Sequence, residues 1–190
     1  MSLAFNLAIF LITAAIMPRV FRKDGAWSLE NSKTAFRFFT VQSNVFCAVS
    51  ALLMCLFPHS RAAWLIKYAG TAAVIVTMLT VLFHLGPLYG YKKLLSGSDL
   101  FMHLITPILA LVSFCVFEKR GLAFWESLWG LAPVALYGAL YMYRVVFAPK
   151  DKAWDDFYGF NQTGKFYIAA EMMLAGTFLI CMGLMGLQNM

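Results

Sequence analysis

Charged side chains are scarce in this sequence, and acidic ones scarcest: 13% of the 190 residues are charged, and Asp and Glu together number 9. With 62% of its residues hydrophobic, the chain has too little polar surface for a soluble globule of this size. Short alternating segments are also missing, which excludes a transmembrane barrel. Cysteine is sparse, and Cys47, Cys55, Cys115 and Cys181 each lie inside an apolar run with no CxxC pair. They read as small packing residues, so no metal site is expected. There is no internal repeat and no low-complexity stretch. Nothing basic precedes Leu3, and no small-residue cleavage site follows the first apolar run, which therefore reads as a retained helix.

What is present is a set of six apolar runs, each near the 20 residues or so that a helical span needs, separated by short charged connectors. The expected fold is all-α, a polytopic six-helix bundle forming one domain over residues 1–190. The predicted helices are 2–18, 35–57, 63–85, 99–117, 124–147 and 166–187. Gly86-Pro87 is expected to stop the third, and Ser98 or Asp99 to cap the fourth. Pro107 inside the fourth predicts a kink and a carbonyl at His103 left without its helical donor.

The formal net charge of +6 does not point to nucleic acid, because the basic residues sit between apolar runs. Eleven of the 15 Lys and Arg residues fall in the first, third and fifth connectors or at their edges. By the positive-inside rule both termini face outward and those connectors face the cytoplasm, in a bacterial inner membrane.

The hydrogen-bonding residues gather on that same side. Thr40, Ser43 and Asn44 recur at i, i+3 and i+4 near the start of the second helix, beside Gln42. His84 ends the third helix, while Asp99 and His103 open the fourth. Tyr141 and Arg144 end the fifth, and Glu171 opens the sixth. Alternating helix directions bring all of these to one end of the bundle, with Thr40 and His103 at similar depths. Polar groups within spans are costly and usually face a bundle interior. The opposite end offers nothing comparable, and Glu171 is the one acidic residue read as interior to a span.

Threonine becomes a nucleophile when a neighbouring base takes its proton, and neutral imidazole does this near pH 7. Asp99 is placed one turn before His103, where it can orient the ring or cap the helix. Gln42, Ser43 or Asn44 can donate to a developing oxyanion, and apolar walls suit an acyl chain. Each residue also has a plainer role: threonine bonding its own helix backbone, Ser43 and Asn44 joining helices, Arg144 pairing with Glu171, and Asp155 and Asp156 as solvated loop charges.

At these residues the chain resembles the androgen-induced, FAR-type membrane protein family, and within it the bacterial six-helix relatives. The resemblance lies in Phe38-Phe39-Thr40 continuing to Val41-Gln42-Ser43-Asn44, in Val81-Leu82-Phe83-His84, and in His103-Leu104-Ile105-Thr106-Pro107-Ile108-Leu109 closing at Glu118. Its animal members are threonine hydrolases that cleave fatty acid esters of hydroxy fatty acids. The resemblance implies Thr40 as nucleophile and His103 as base. Gln42-Ser43-Asn44 follows the bacterial pattern, so the animal substrate does not carry over with the motif.

The expectation is a membrane-embedded hydrolase of lipid-like esters, with a membrane lipid or fatty acyl ester as partner and neither cofactor nor nucleic acid. The alternative is a non-catalytic protein that binds or transports a lipid or small polar ligand in the same pocket. A third reading, with His84 and His103 as haem ligands, rests on their shared side alone.

Overall fold

The computed structural model describes residues 1–23 and 25–190. In chain order its main helices are α1 (Ser2–Phe21), the short α2 (Leu29–Ala35), α3 (Phe39–Leu56), α4 (Arg61–Tyr89), α5 (Gly97–Phe117), α6 (Phe124–Phe147) and α7 (Phe166–Asn189). Among the described residues, all of these except α2 are long and apolar enough to cross a membrane. The chain is a multi-pass membrane protein with an all-α fold. Two-residue strands, β1 (Arg22–Lys23) and β2 (Ala26–Trp27), pair antiparallel between α1 and α2.

Small residues decide which helix sits at the centre. In α4 the run Ala69-Gly70-Thr71-Ala72-Ala73 is wholly buried, and this helix packs against α3, α5, α6 and α7. In lipid, helices associate by close backbone approach rather than by escape from water. Gly70 shows how close: a Cβ added there would lie 2.7 Å from Ser50 Oγ and 3.1 Å from Cys47 Cα of α3. Ile9, Cys47, Ala51, Val74 and Ala110 then close the interior between α1, α3, α4 and α5.

The second predicted helix is broken where the sequence suggested continuity. Phe38 is extended (φ −89°, ψ 131°), which separates α2 from α3. Side chains take the carbonyls that the break releases: Gln42 Nε2 donates to Phe36 O at 2.7 Å, and Tyr137 Oη donates to Arg37 O at 2.7 Å. Thr40 therefore lies in the first turn of its spanning helix, about one turn nearer its start than a helix beginning at residue 35 would put it.

Two of the helix prolines follow a widened turn, while Pro18 of α1 and Pro133 of α6 do not. Over Val81–Leu85 and Phe101–Ile105 the backbone bonds span five residues, with Gly86 N–H reaching Val81 O and Thr106 N–H reaching Phe101 O. Pro87 and Pro107 come next. A proline lacks the N–H and its ring crowds the carbonyl four residues back, so one extra residue per turn relieves the clash. Hence Gly86-Pro87 does not end α4, which continues to Tyr89. At Pro107 the carbonyl left without a donor becomes that of Met102, not of His103. The fourth span starts at Gly97, after an N-cap Ser96 that makes no side-chain capping bond, rather than at the expected Ser98 or Asp99.

Candidate active site

The widened turn in α5 carries His103 into the bundle, where it is buried. Its Nε2 lies 3.3 Å from Thr40 Oγ1 on α3. Its Nδ1 lies 2.7 Å from Leu94 O, in the helical turn Tyr91–Leu94 that precedes α5. A carbonyl only accepts, so Nδ1 holds the proton, and in the neutral ring Nε2 is a bare acceptor facing the threonine hydroxyl. Sequence reasoning offered Asp99 as the orienting group. The structure assigns that role to a backbone carbonyl, and Asp99 lies half-buried with no bond to the ring.

Asn44 holds the two helices in this relation. Its Nδ2 donates to Thr40 O at 2.9 Å and to Met102 O at 3.0 Å, the latter being the carbonyl that Pro107 leaves without a donor. Ser43 bonds Thr77 Oγ1 of α4 at 2.8 Å and donates to Thr40 O at 3.2 Å. Gln42 is committed to Phe36 O. Ser43 and Asn44 have no donor to spare, and Gln42, which keeps one amide N–H, does not line the cavity beside Thr40. Their amides and hydroxyls satisfy backbone and neighbouring helices instead.

Thr40 opens on its other side into a cavity of about 290 Å³ between α3, α4, α6 and α7. Val134, Gly138, Met142, Val145, Ala170 and Met173 form much of its wall, and no charged side chain lines it. His103 is not among the lining residues, so the threonine hydroxyl stands between the imidazole and the cavity.

The connector between α6 and α7 forms the remaining wall, and its anchor is Asp156. Its Oδ1 accepts from Tyr141 Oη at 2.7 Å and from Phe160 N at 2.9 Å, and its Oδ2 accepts from Asn161 N at 2.7 Å. The expectation of a solvated loop charge is thereby corrected. Tyr141 Oη also accepts from Tyr158 N at 3.2 Å, and the exposed His84 donates through Nε2 to Tyr158 O at 3.0 Å. Both residues thus support the loop. Tyr158 itself is buried, and its Oη accepts from Phe39 N–H, beside Thr40, at 2.9 Å. Burial pushes this phenol up to about 12, so it holds its proton throughout the neutral range.

Arg144 and Glu171 do not pair. Arg144 donates to Lys152 O at 3.1 Å and lies over the Trp154 ring, while Glu171 is exposed. Among the described residues the single salt bridge joins Arg61 and Glu126 at the other end of the bundle. Nor do the ring nitrogens of His84 and His103 converge on a shared ligand, since they face Tyr158 O, Leu94 O and Thr40.

The far end of the bundle also departs from expectation, because it holds a second polar cluster. Glu118, read as a connector residue, is buried, and its Oε1 accepts from Ser2 Oγ at 2.8 Å, Ser113 Oγ at 3.0 Å and Asn6 Nδ2. Trp64 Nε1 donates to its backbone carbonyl at 2.7 Å. Lys67, inside the predicted helix 63–85, is completely buried on α4. The available signal was positional: Lys67 shares a helical face with Trp64 and Thr71, the face that packs inward.

No protein-family model, curated protein or solved structure matches this chain.

Proposed function

We propose that this protein is a membrane-embedded hydrolase of lipid-like esters, with Thr40 as nucleophile and His103 as base. The observation that carries the reading is the alignment Leu94 O, His103, Thr40: Nδ1–H held at 2.7 Å on one side leaves Nε2 3.3 Å from the hydroxyl on the other. That is the geometry of a base with its tautomer fixed by a third group. A distance at the long end is usual before substrate draws the groups together.

Ester attack is then a balanced sequence. Thr40 Oγ1 bonds to the carbonyl carbon as its proton passes to His103 Nε2, and the carbonyl π pair moves to oxygen. Collapse breaks the bond to the alcohol, which takes the proton from Nε2. Water, deprotonated by the same nitrogen, adds to the Thr40 ester; the bond to Oγ1 then breaks, Nε2 returns the proton to Thr40 and the acid is released. Thr40 also lies in the first turn of the 18-residue α3, whose positive end favours a developing oxyanion.

The uncharged cavity suits a neutral acyl chain entering from the bilayer. It provides no cation for a free carboxylate within the chain-binding part. The resemblance to the androgen-induced membrane proteins supports the same pair of residues. The excess of Lys and Arg on the Thr40 side supports a cytoplasmic-facing site in a bacterial inner membrane, with both termini outside.

The test is labelling of detergent-purified protein by a fluorophosphonate carrying an alkyl chain. Labelling is expected in wild type and Thr40→Ser, and its loss in Thr40→Ala and His103→Ala, each shown to be folded. Folded wild type that neither labels nor cleaves short-chain or long-chain p-nitrophenyl esters would replace this reading with lipid binding in the same cavity.

A further inference from the structure

None of Gln42, Ser43 and Asn44, the polar neighbours of Thr40 on α3, lines the cavity, yet ester attack places negative charge on a carbonyl oxygen within it. A donor must reach that oxygen from another wall. Asn161, Thr77 and Thr80 also line the cavity; Thr77 is held by Ser43 and Ala73 O, while the Asn161 and Thr80 side chains make no hydrogen bond that fixes their donors in place. Tyr137 donates its proton to Arg37 O, and Tyr141 donates its proton to Asp156.

Tyr158 differs from these. Its hydroxyl oxygen accepts from Phe39 N–H at 2.9 Å, which leaves its own proton for another acceptor. It lines the cavity together with Phe39 and Thr40. Its ring is held by Tyr137, Tyr141 and Phe160, with centroids 5.2 to 6.4 Å apart. Its backbone is fixed at both ends, N–H on Tyr141 Oη and C=O on His84. Ring and backbone are thus fixed before substrate arrives, and the phenol oxygen sits beside Phe39 N–H and the Tyr137 hydroxyl, so only its proton has to turn toward a new acceptor.

We propose that Tyr158 is a catalytic residue, its phenol donating a hydrogen bond to the carbonyl oxygen of the bound ester as Thr40 attacks. The assignment rests on the Thr40–His103 reading. In the attack step the proton of Thr40 goes to His103, the π pair goes to the carbonyl oxygen, and Tyr158 shares its proton with that oxygen without transferring it. When the tetrahedral adduct collapses the bond weakens again, so Tyr158 enters and leaves each half-reaction neutral. The connector Ala148–Lys165 thereby contributes a reacting group and not only a wall. His84, Tyr141 and Asp156 act as positioning residues for it.

The experiment compares wild type, Tyr158→Phe and Thr40→Ala on p-nitrophenyl octanoate and on its thionoester, whose C=S is a weak hydrogen-bond acceptor. Tyr158→Phe should lower kcat on the oxygen ester roughly 100-fold, the loss found when one oxyanion donor is removed, with KM nearly unchanged. Wild type should cleave the oxygen ester much faster than the thionoester, and that preference should largely disappear in Tyr158→Phe. The preference is a ratio measured on one sample, so it does not depend on how much of the variant folds. Wild-type kcat and an unchanged preference in Tyr158→Phe, with Thr40→Ala inactive, would overturn the role of Tyr158 and leave the nucleophile standing. A folded wild type inert to both esters and to the fluorophosphonate would overturn the Thr40 reading, and this proposal with it.

Discussion

His103 Nδ1 lies 2.7 Å from the carbonyl oxygen of Leu94, nine residues earlier in the chain. That contact decides which face of the imidazole meets Thr40. It depends on the helical turn Tyr91–Leu94 folding back against the widened turn of α5. A carbonyl cannot be protonated or ion-paired at ordinary pH, so the tautomer is held without placing a carboxylate inside the membrane.

Removing the base should affect chemistry more than binding. His103→Ala is expected to lower ester cleavage by about 10²–10⁴-fold, the usual contribution of a positioned general base. His103→Gln fills the site without supplying a base and should be comparably slow. Steady-state kinetics on the folded variants would check this, and a His103→Gln enzyme of wild-type kcat would remove histidine from the mechanism.

Asn44 and Pro107 should be energetically coupled. Asn44→Leu deprives Met102 O of its side-chain donor, at roughly 1–3 kcal/mol for a buried group left unsatisfied, while Thr40 O keeps Ser43 Oγ. Pro107→Ala restores a backbone N–H that can serve Met102 O, so Asn44→Leu should cost less in that background. A double-mutant cycle on unfolding free energy measures the difference, and strict additivity would show that Asn44 does not compensate for the proline.

Gly70 is predicted to tolerate no side chain. Its added Cβ would meet Ser50 Oγ at 2.7 Å and the backbone of Cys47 at 3.1 Å. Gly70→Ala should destabilise by about 1–3 kcal/mol through overpacking of α3 against α4. Adding Ser50→Ala should recover part of the loss, since the nearer obstacle is a side chain. Thermal unfolding in detergent would show both effects.

Glu118 should matter to stability and not to the site at the other end. Glu118→Leu removes the acceptor that Ser2, Asn6 and Ser113 share and leaves Asn6 only Ser2 Oγ, at roughly 0.5–1.5 kcal/mol for each hydrogen bond lost. The expected outcome is a markedly lower unfolding midpoint, with wild-type kcat in the molecules that remain folded.

Alkaline pH should weaken the fold through Tyr158. Its phenol is pushed up to about 12 by burial, against about 10 in an unfolded chain. The folded state therefore holds the proton more tightly. The stabilisation is complete below the unfolded value and is lost as pH rises through the folded one. Tyr158→Phe should show a shallower loss of stability between pH 10 and 12 than wild type.

Composition and the lengths of the apolar runs were enough to establish a six-span all-α membrane bundle, because a bilayer leaves a chain few ways to satisfy its backbone. That Thr40 and His103 lie at one end and at similar depth was legible from the alternating helix directions; their contact was not, and it appears only in the fold. What composition and spacing do not encode is which hydrogen bonds each polar residue makes. Asn44, Ser43 and Gln42 had the right chemistry for an oxyanion hole, but the packing of α3 on α4 and α5 committed them to carbonyls and a neighbouring hydroxyl. Asp156 and Tyr158 lie more than a hundred residues from Thr40, in a connector with no periodic pattern. Glu118 looked like a connector charge, and nothing local settled that Lys67 is buried, until the helices closed around them. The membrane selected the elements from local sequence; tertiary packing alone decided which polar groups met, because hydrogen bonds act over about 3 Å and those contacts exist only in the assembled bundle.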